Sequence, residues 1–315
     1  MKIGVVGAAG TLGSCAAFAI LQQRLPGELW LFGNRNLNLL QAHFLDLQIA
    51  ASALGAMTVH VAENYEALAG CDIVVVTAGA PWREIANRME LLEDNFAVVE
   101  KIAAAVGRFC PEAVVVNATN PVDALNYGFH LITGMDRLRL LGYSINDSYR
   151  LRMYTARAFG ISSTVVGGLV GGEHGPHQVP FWSTVTVHGK SVAVSPQARQ
   201  QILGDIANFL RSYESLRTGR TAGWISAVGI AEMVRAVVLD TSELFPCSVV
   251  LAGEYGGRQG LSAGVPARIG RNGVVEIVRL SLPADEQAEL ESAFDFLGET
   301  AGVVRKKLGL QQVSS

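Results

Sequence analysis

Apolar and polar positions along the first half of the chain fall into alternating blocks. Short runs rich in Val, Ile and Leu read as buried strands, and each is followed by a longer stretch of helical period. KIGVV (2–6) predicts a strand and SCAAFAILQQRL (14–25) the helix after it. LWLF (29–32) predicts a second strand, 37–54 a second helix, MTVHV (57–61) a weaker strand and DIVVVTAG (72–79) a stronger one. A long helix over 89–109 leads to another strand within EAVVVNATNP (112–121). This alternation predicts an α/β fold: a Rossmann-type, doubly wound parallel sheet with helices on both faces.

After Asn146 the rhythm changes. A helix over 147–160 precedes irregular β segments at 163–172 and 182–189, and long helices follow over 195–216 and 222–240. GVVEIVRLSL (273–282) reads as β, and 284–308 as a closing helix. The expectation is a dinucleotide-binding domain over 1–145 and an α+β substrate-binding and catalytic domain over 146–315. No Pro/Ser linker marks the boundary, and neither an internal repeat nor a low-complexity tract is present.

Composition narrows the partners. The chain has 315 residues, half of them hydrophobic, and a formal charge of −3. That suits a folded protein with a large core, and the lack of a basic tract argues against nucleic acid. No uninterrupted apolar run reaches the roughly 18 residues that a spanning helix needs, so no membrane partner is expected. The first twenty residues are not read as a signal peptide, because Gly7, Gly10 and Gly13 break the apolar run at turn spacing. Cys15, Cys71, Cys110 and Cys247 are scattered without metal-ligand spacing. They read as reduced thiols of a cytoplasmic protein, and no metal site is expected.

The first candidate chemistry is GAAGTLG (7–13), a Gly-x-x-Gly-x-x-Gly turn between a strand and a helix. Gly7 permits the tight turn, Gly10 lets the backbone approach a pyrophosphate, and Gly13 lets the helix pack on the sheet. An acidic residue at the end of the second strand would hold the ribose hydroxyls of NAD. Here Gly33 stands there, followed by Asn34, Arg35 and Asn36. Loss of the acid opens space for a 2′-phosphate, and a guanidinium suits bidentate phosphate contact. The expectation is therefore NADP(H), with NAD(H) still possible if Arg35 is only a solvated surface charge.

Four further segments carry polar residues: GGEHGPHQVP around His174, NDSYRLR with Asp147 and Arg150, TNPVD with Asn120, and the loop APWREIANR with Arg83 and Arg88. Asp147 and Arg150 are three apart, on one helix face. Asn120 ends a strand, where ligands of such sheets bind. In order and spacing, together with the glycine turn, AEMVRA and GVPARIGRNGV, these segments resemble the lactate/malate dehydrogenase family. The resemblance covers nearly the whole chain.

That resemblance implies hydride transfer between nicotinamide and an L-2-hydroxy/2-oxo acid. His174 would be the acid/base and Asp147 its orienting carboxylate. An ion pair of this kind raises a histidine pKa at about 1.4 kcal/mol per unit. Arg150 would clamp the substrate carboxylate, Arg88 would polarise the carbonyl when its loop closes, and Asn120 would contact both substrate and cofactor. The resemblance also gives Thr11, Leu12, Thr77, Ala78, Gly79, Asn95 and Ala118 to the cofactor and implies a homodimer or homotetramer. His43, His60, His130 and His188 receive no role. Trp224 and Met233 read as packing residues, and Ala222 and Ser226 as setting space near the pocket.

Two departures fall on the substrate side. Where the family carries a substrate-discriminating Arg or Gln, this chain has Trp82. Burying a second carboxylate without a partner costs several kcal/mol, so Trp82 favours an uncharged substrate tail. The alternative is malate dehydrogenase proper, with the neighbouring Arg83 reading oxaloacetate. Beside the base, Pro176 and His177 stand where an acid and a small polar residue are usual. His177 either adds a donor to the pocket or braces local backbone.

Overall fold

A computed structural model describes residues 1–81, 83, 88–218 and 223–310, without the side chains of Arg88 and Glu214. The chain opens with β1 (Lys2–Val6), α1 (Thr11–Gln22), β2 (Glu28–Phe32), α2 (Leu37–Leu54), β3 (Thr58–Ala62) and β4 (Ile73–Val76). It continues through α3 (Arg88–Phe109), β5 (Val114–Asn117), α4 (Val122–Thr133) and β6 (Leu140–Tyr143). These six strands are parallel, in the order β3-β2-β1-β4-β5-β6. The order reverses between β1 and β4, which opens a crevice at their C-terminal ends. β4, β5 and β6 are buried at every position. Strands covered on both faces need apolar residues throughout, which is why they read as unbroken Val and Leu runs.

The remainder comprises α5 (Ile145–Phe159), β7 (Val166–Gly172), β8 (Gln178–Val187), β9 (Lys190–Ser191), α6 (Pro196–Ser215) and α7 (Gly223–Leu239), then β10 (Glu243–Ala252), β11 (Gln259–Gly270), β12 (Gly273–Ile277) and α8 (Ala284–Lys307). Its strands are antiparallel and extend the same sheet, because β10 pairs with β6 through Cys247–Tyr143 and Ser248–Gly142. The fold is thus the expected Rossmann-type sheet followed by an α+β half.

Three differences from the sequence reading have physical causes. α4 and β6 were not read from the sequence: all eight residues from Val122 to Phe129 are buried, polar Asp123 and Asn126 included, so the polar positions of the helix mark no solvent face. β10 and β11 contain Pro246 and Pro266, which ordinarily argue against an interior strand. The two prolines sit directly opposite each other, so both missing donors fall at one rung of the ladder. Met233 is fully buried as expected, but Trp224 is 70% exposed. Nine residues of helix separate the pair by half a turn, on opposite faces. Among the described residues no helix is long and apolar enough to cross a membrane.

The glycine turn is a rigid seat. Gly7 has φ +93°, and a Cβ there would lie 2.7 Å from the Ala78 nitrogen. A Cβ on Gly13 would lie 2.3 Å from the Gly7 carbonyl oxygen and 2.8 Å from the Ala8 Cα. Backbone cannot yield as a flexible side chain does. Gly13→Ala is therefore expected to destabilise the protein by about 2 kcal/mol or more, read as a fall of several degrees in Tm; an unchanged Tm would contradict the packing described.

Candidate active site

Two loops follow the strands that flank the crevice. The amides of Gly7 and Ala8 both donate to the Phe32 carbonyl (2.9 and 3.0 Å), which fixes the glycine turn against the end of β2. Gly10 caps α1 without a side chain, so that helix N-terminus keeps unpaired backbone N–H groups near Thr11 and Leu12. Thr77 donates its hydroxyl to the Val6 carbonyl (2.9 Å), and Thr119 donates to the Ala78 carbonyl (2.8 Å). These bonds bring Thr77, Ala78, Gly79 and the segment at Ala118 beside the glycine turn. The lack of Cβ atoms at Gly7 and Gly13 lets the turn close on Ala78 and on itself.

Gly33 ends β2, and Asn34, Arg35 and Asn36 are exposed at the start of α2. Arg35 has no ion-pair partner among the described residues. Asn36 is the residue before α2 and takes φ 52°, a left-handed conformation that Asn tolerates. A Cβ on Gly33 would approach Leu40 Cδ2 to 3.2 Å, the flexible end of a side chain.

Asn95, only 6% exposed on α3, stitches two loops together. Its Oδ1 accepts from the Ala80 amide and its Nδ2 donates to the Asn120 carbonyl, both at 2.7 Å. Its polar atoms therefore hold the backbone after β4 and β5. The Asn120 side chain has no hydrogen-bond partner among the described residues.

The densest polar cluster lies at the junction of α5 with the turn between β7 and β8. Asp147 sits in the first turn of α5 and is 5% exposed. Its Oδ2 lies 2.6 Å from His174 Nδ1, and its Oδ1 accepts from Arg150 at 2.7 Å. One carboxylate thus binds both an imidazole and a guanidinium, each largely buried. With Nδ1 engaged, the His174 ring presents Nε2 as its exchangeable nitrogen. The turn itself is braced by Glu173, whose carboxylate accepts the His177 amide at 3.0 Å. The His177 ring stacks on Phe296 of α8, with centroids 4.0 Å apart, and so braces the turn against the last helix.

Arg83 lies on the surface, where its guanidinium donates to Asp94 (2.6 Å) and Glu90 (2.9 Å). The two carboxylates push its pKa above the usual arginine value. Trp82, the Arg88 side chain and Ala222 lie outside the described residues. Two buried carboxylates beside His174 were not singled out from sequence, Glu173 and Asp123. The signal was present, since each belongs to a motif read for another residue. A polar chain was also missed: Tyr143 donates to Asn146 Oδ1 (2.8 Å), and Asn146 donates to Ser226 (2.8 Å), tying α7 to the start of α5.

Comparison with known proteins agrees with this layout. The family described as the lactate/malate dehydrogenase NAD-binding domain matches residues 1–142, and the lactate/malate dehydrogenase α/β C-terminal domain matches 146–303. The malate dehydrogenase of Natronomonas pharaonis is 34% identical over 302 residues, 95% of this chain and 97% of that protein. The crystal structure of Cryptosporidium parvum malate dehydrogenase superposes with a TM-score of 0.90 at 29% identity, covering 97% of this chain and 99% of that one. The lactate dehydrogenase of the same organism, complexed with lactic acid and nicotinamide adenine dinucleotide, gives 0.88 at 28% identity, with 96% and 97% covered.

Removal of the Asn95 amide leaves the Ala80 donor and the Asn120 acceptor without their buried partner. Asn95→Ala is expected to destabilise by about 1–3 kcal/mol, and Asn95→Asp, which buries a charge and turns an acceptor toward the Asn120 carbonyl, by at least as much. Denaturant titration measures both; equal stability of all three proteins would show that the bridge carries nothing.

Proposed function

Because the chain belongs to the lactate/malate dehydrogenase family, we propose that this 2-hydroxy acid dehydrogenase interconverts malate and oxaloacetate and prefers NADP(H) over NAD(H). The carrying observation is the Asp147 carboxylate shared between His174 and Arg150, which sets an acid/base and a carboxylate clamp side by side.

Residues 1–145 supply the dinucleotide half. Gly7, Gly10 and Gly13 with the N-terminus of α1 receive the pyrophosphate, and Thr77–Gly79 and Ala118–Asn120 border the nicotinamide end. A bound nicotinamide dinucleotide supplies the hydride. Residues 146–315 supply the acid/base and the clamp. The fork of Arg150 takes the substrate carboxylate and fixes the 2-oxo carbon. His174 Nε2 gives its proton to the carbonyl oxygen in reduction and takes it back in oxidation, while Asp147 favours the imidazolium and keeps the ring in register. Arg88, expected on a mobile loop but standing at the start of α3, polarises the carbonyl in this reading.

Arg83 is the proposed reader of the second carboxylate. Arg83 is exposed and its present partners half-buried at the surface, and surface pairs hold about 0–1 kcal/mol each. Exchange of Glu90 and Asp94 for a substrate carboxylate therefore costs little. Trp82 favours a second reading, a 2-oxo acid with an uncharged tail. The apolar residues exposed on α2 (Leu37, Leu39, Leu45, Ile49) and α7 (Trp224, Ile225, Val228) support a homo-oligomer.

Turnover of oxaloacetate, pyruvate and an aryl 2-oxo acid with NADPH and NADH separates the readings. Oxaloacetate is expected to lead, and Arg83→Ala is expected to lower its kcat/KM by about 100-fold with little effect on pyruvate. Activity confined to monocarboxylates would install the second reading. Gly33→Asp displaces only the end of Leu40 and is expected to shift the NADP/NAD ratio of kcat/KM toward NAD by about tenfold or more; an unmoved ratio would remove Gly33 and Arg35 from cofactor selection.

A further inference from the structure

Asp123 closes the TNPVD segment on α4, and no role has yet been found for it. It is 2% exposed. Its Oδ2 accepts the backbone N–H of His174 at 2.8 Å, and its Oδ1 has no partner of good hydrogen-bonding geometry. The acid/base residue therefore touches two carboxylates. Asp147 on α5 holds its ring, and Asp123 on α4 holds its backbone.

A carboxylate sunk this deep in the core is an expensive way to anchor a single amide. A neutral asparagine oxygen would accept the same bond at a smaller desolvation penalty. What the acid alone provides is a negative charge buried next to His174, in surroundings that screen it weakly. We propose that Asp123 is a positioning residue for the acid/base, fixing the His174 backbone and, through its charge, raising the proton affinity of the His174 ring beyond what Asp147 achieves. The inference rests on the dehydrogenase reading of His174.

The surroundings of Asp123 support a charge under tension. Burial pushes its carboxyl up to about 6, against the Ser248 hydroxyl of β10, the His174 amide and the His174 ring, which favour the charged form; Glu173 pushes the same way as burial. The chief charged or titratable groups facing it are thus His174 and Glu173, both from the turn after β7, with Ser248 the polar group from β10. Behind it on α4, Asn126 is engaged with Ser262 and with the Ser248 carbonyl (3.1 and 3.2 Å). The sign of the linkage follows. A carboxyl whose pKa is raised on folding contributes stability below its unfolded value of 3.8, and that contribution is lost as pH rises through about 6. Above that pH the protein holds an ionised Asp123 at a cost in stability.

Asp123→Asn keeps the acceptor and deletes the charge. Its stability at pH 7.5 is expected to equal or exceed that of the unsubstituted protein. The His174 pKa is expected to fall by about half a unit to one unit. NMR titration of the imidazoles reads this directly in the full chain without substrate, with the His174 signal assigned by its absence in His174→Asn. The kinetic counterpart is a downward shift of the same size in the alkaline limb of kcat/KM for 2-oxo acid reduction. An unmoved His174 titration overturns the inference, as does a loss of activity in Asp123→Asn with an unmoved pH profile, which assigns Asp123 a purely structural duty. Silence of the unsubstituted protein toward every 2-oxo acid sinks the dehydrogenase reading instead, and the NMR titration still decides the role of Asp123.

Discussion

The site turns on a single carboxylate with two obligations. Asp147 faces His174 through one oxygen and Arg150 through the other, and it is almost wholly removed from water. A buried carboxylate left without partners carries a penalty of several kcal/mol, so neither neighbour is free to drift. His174, the proposed proton carrier, and Arg150, the proposed carboxylate clamp, are therefore held in one frame. Preorganisation of this kind converts binding into reactivity, because the carbonyl carbon is placed as soon as the carboxylate is seated.

The rest of the fold serves that frame. The parallel sheet opens its crevice where the strand order reverses, and the glycine turn, Thr77 and Asn95 shape the loops beside it. The continuation of the sheet from β6 into β10 carries the second half of the chain to the same edge. α5 starts directly after β6, which delivers Asp147 and Arg150, and the turn between β7 and β8 delivers His174. Within the turn Glu173 accepts the His177 amide, and Phe296 and Asp123 hold it from α8 and α4.

Much of this was legible in the sequence because its signals are local. The Val runs of β1, β4 and β5, the helical period of α2 and the glycine spacing at 7–13 each reflect a constraint acting within one element. The spacing of Asp147 and Arg150 is equally local, since a single helix turn sets it. What escaped depends on neighbours distant in sequence. α4 buries even its polar Asp123 and Asn126, because other elements cover it from Val122 to Phe129. The facing prolines of β10 and β11 make sense only once the strands are paired. Asp123 lies fifty-one residues from the amide it accepts, and no period or motif within α4 announces that bond. Trp224 misled for a related reason: it lies on the exposed face of α7, where an apolar residue does not imply burial.

The substitution that strikes Asp147 alone is the most direct test of the account. Asp147→Asn preserves shape but removes the charge that both neighbours share. In steady-state kinetics with a reactive 2-oxo acid, the predicted result is a fall in kcat of about 10²–10⁴-fold, a simultaneous rise in KM for the 2-oxo acid, and a dinucleotide Kd that stays as it was. Retention of both kcat and KM in that variant, or a change confined to dinucleotide affinity, would contradict the claim that one carboxylate binds the base to the clamp.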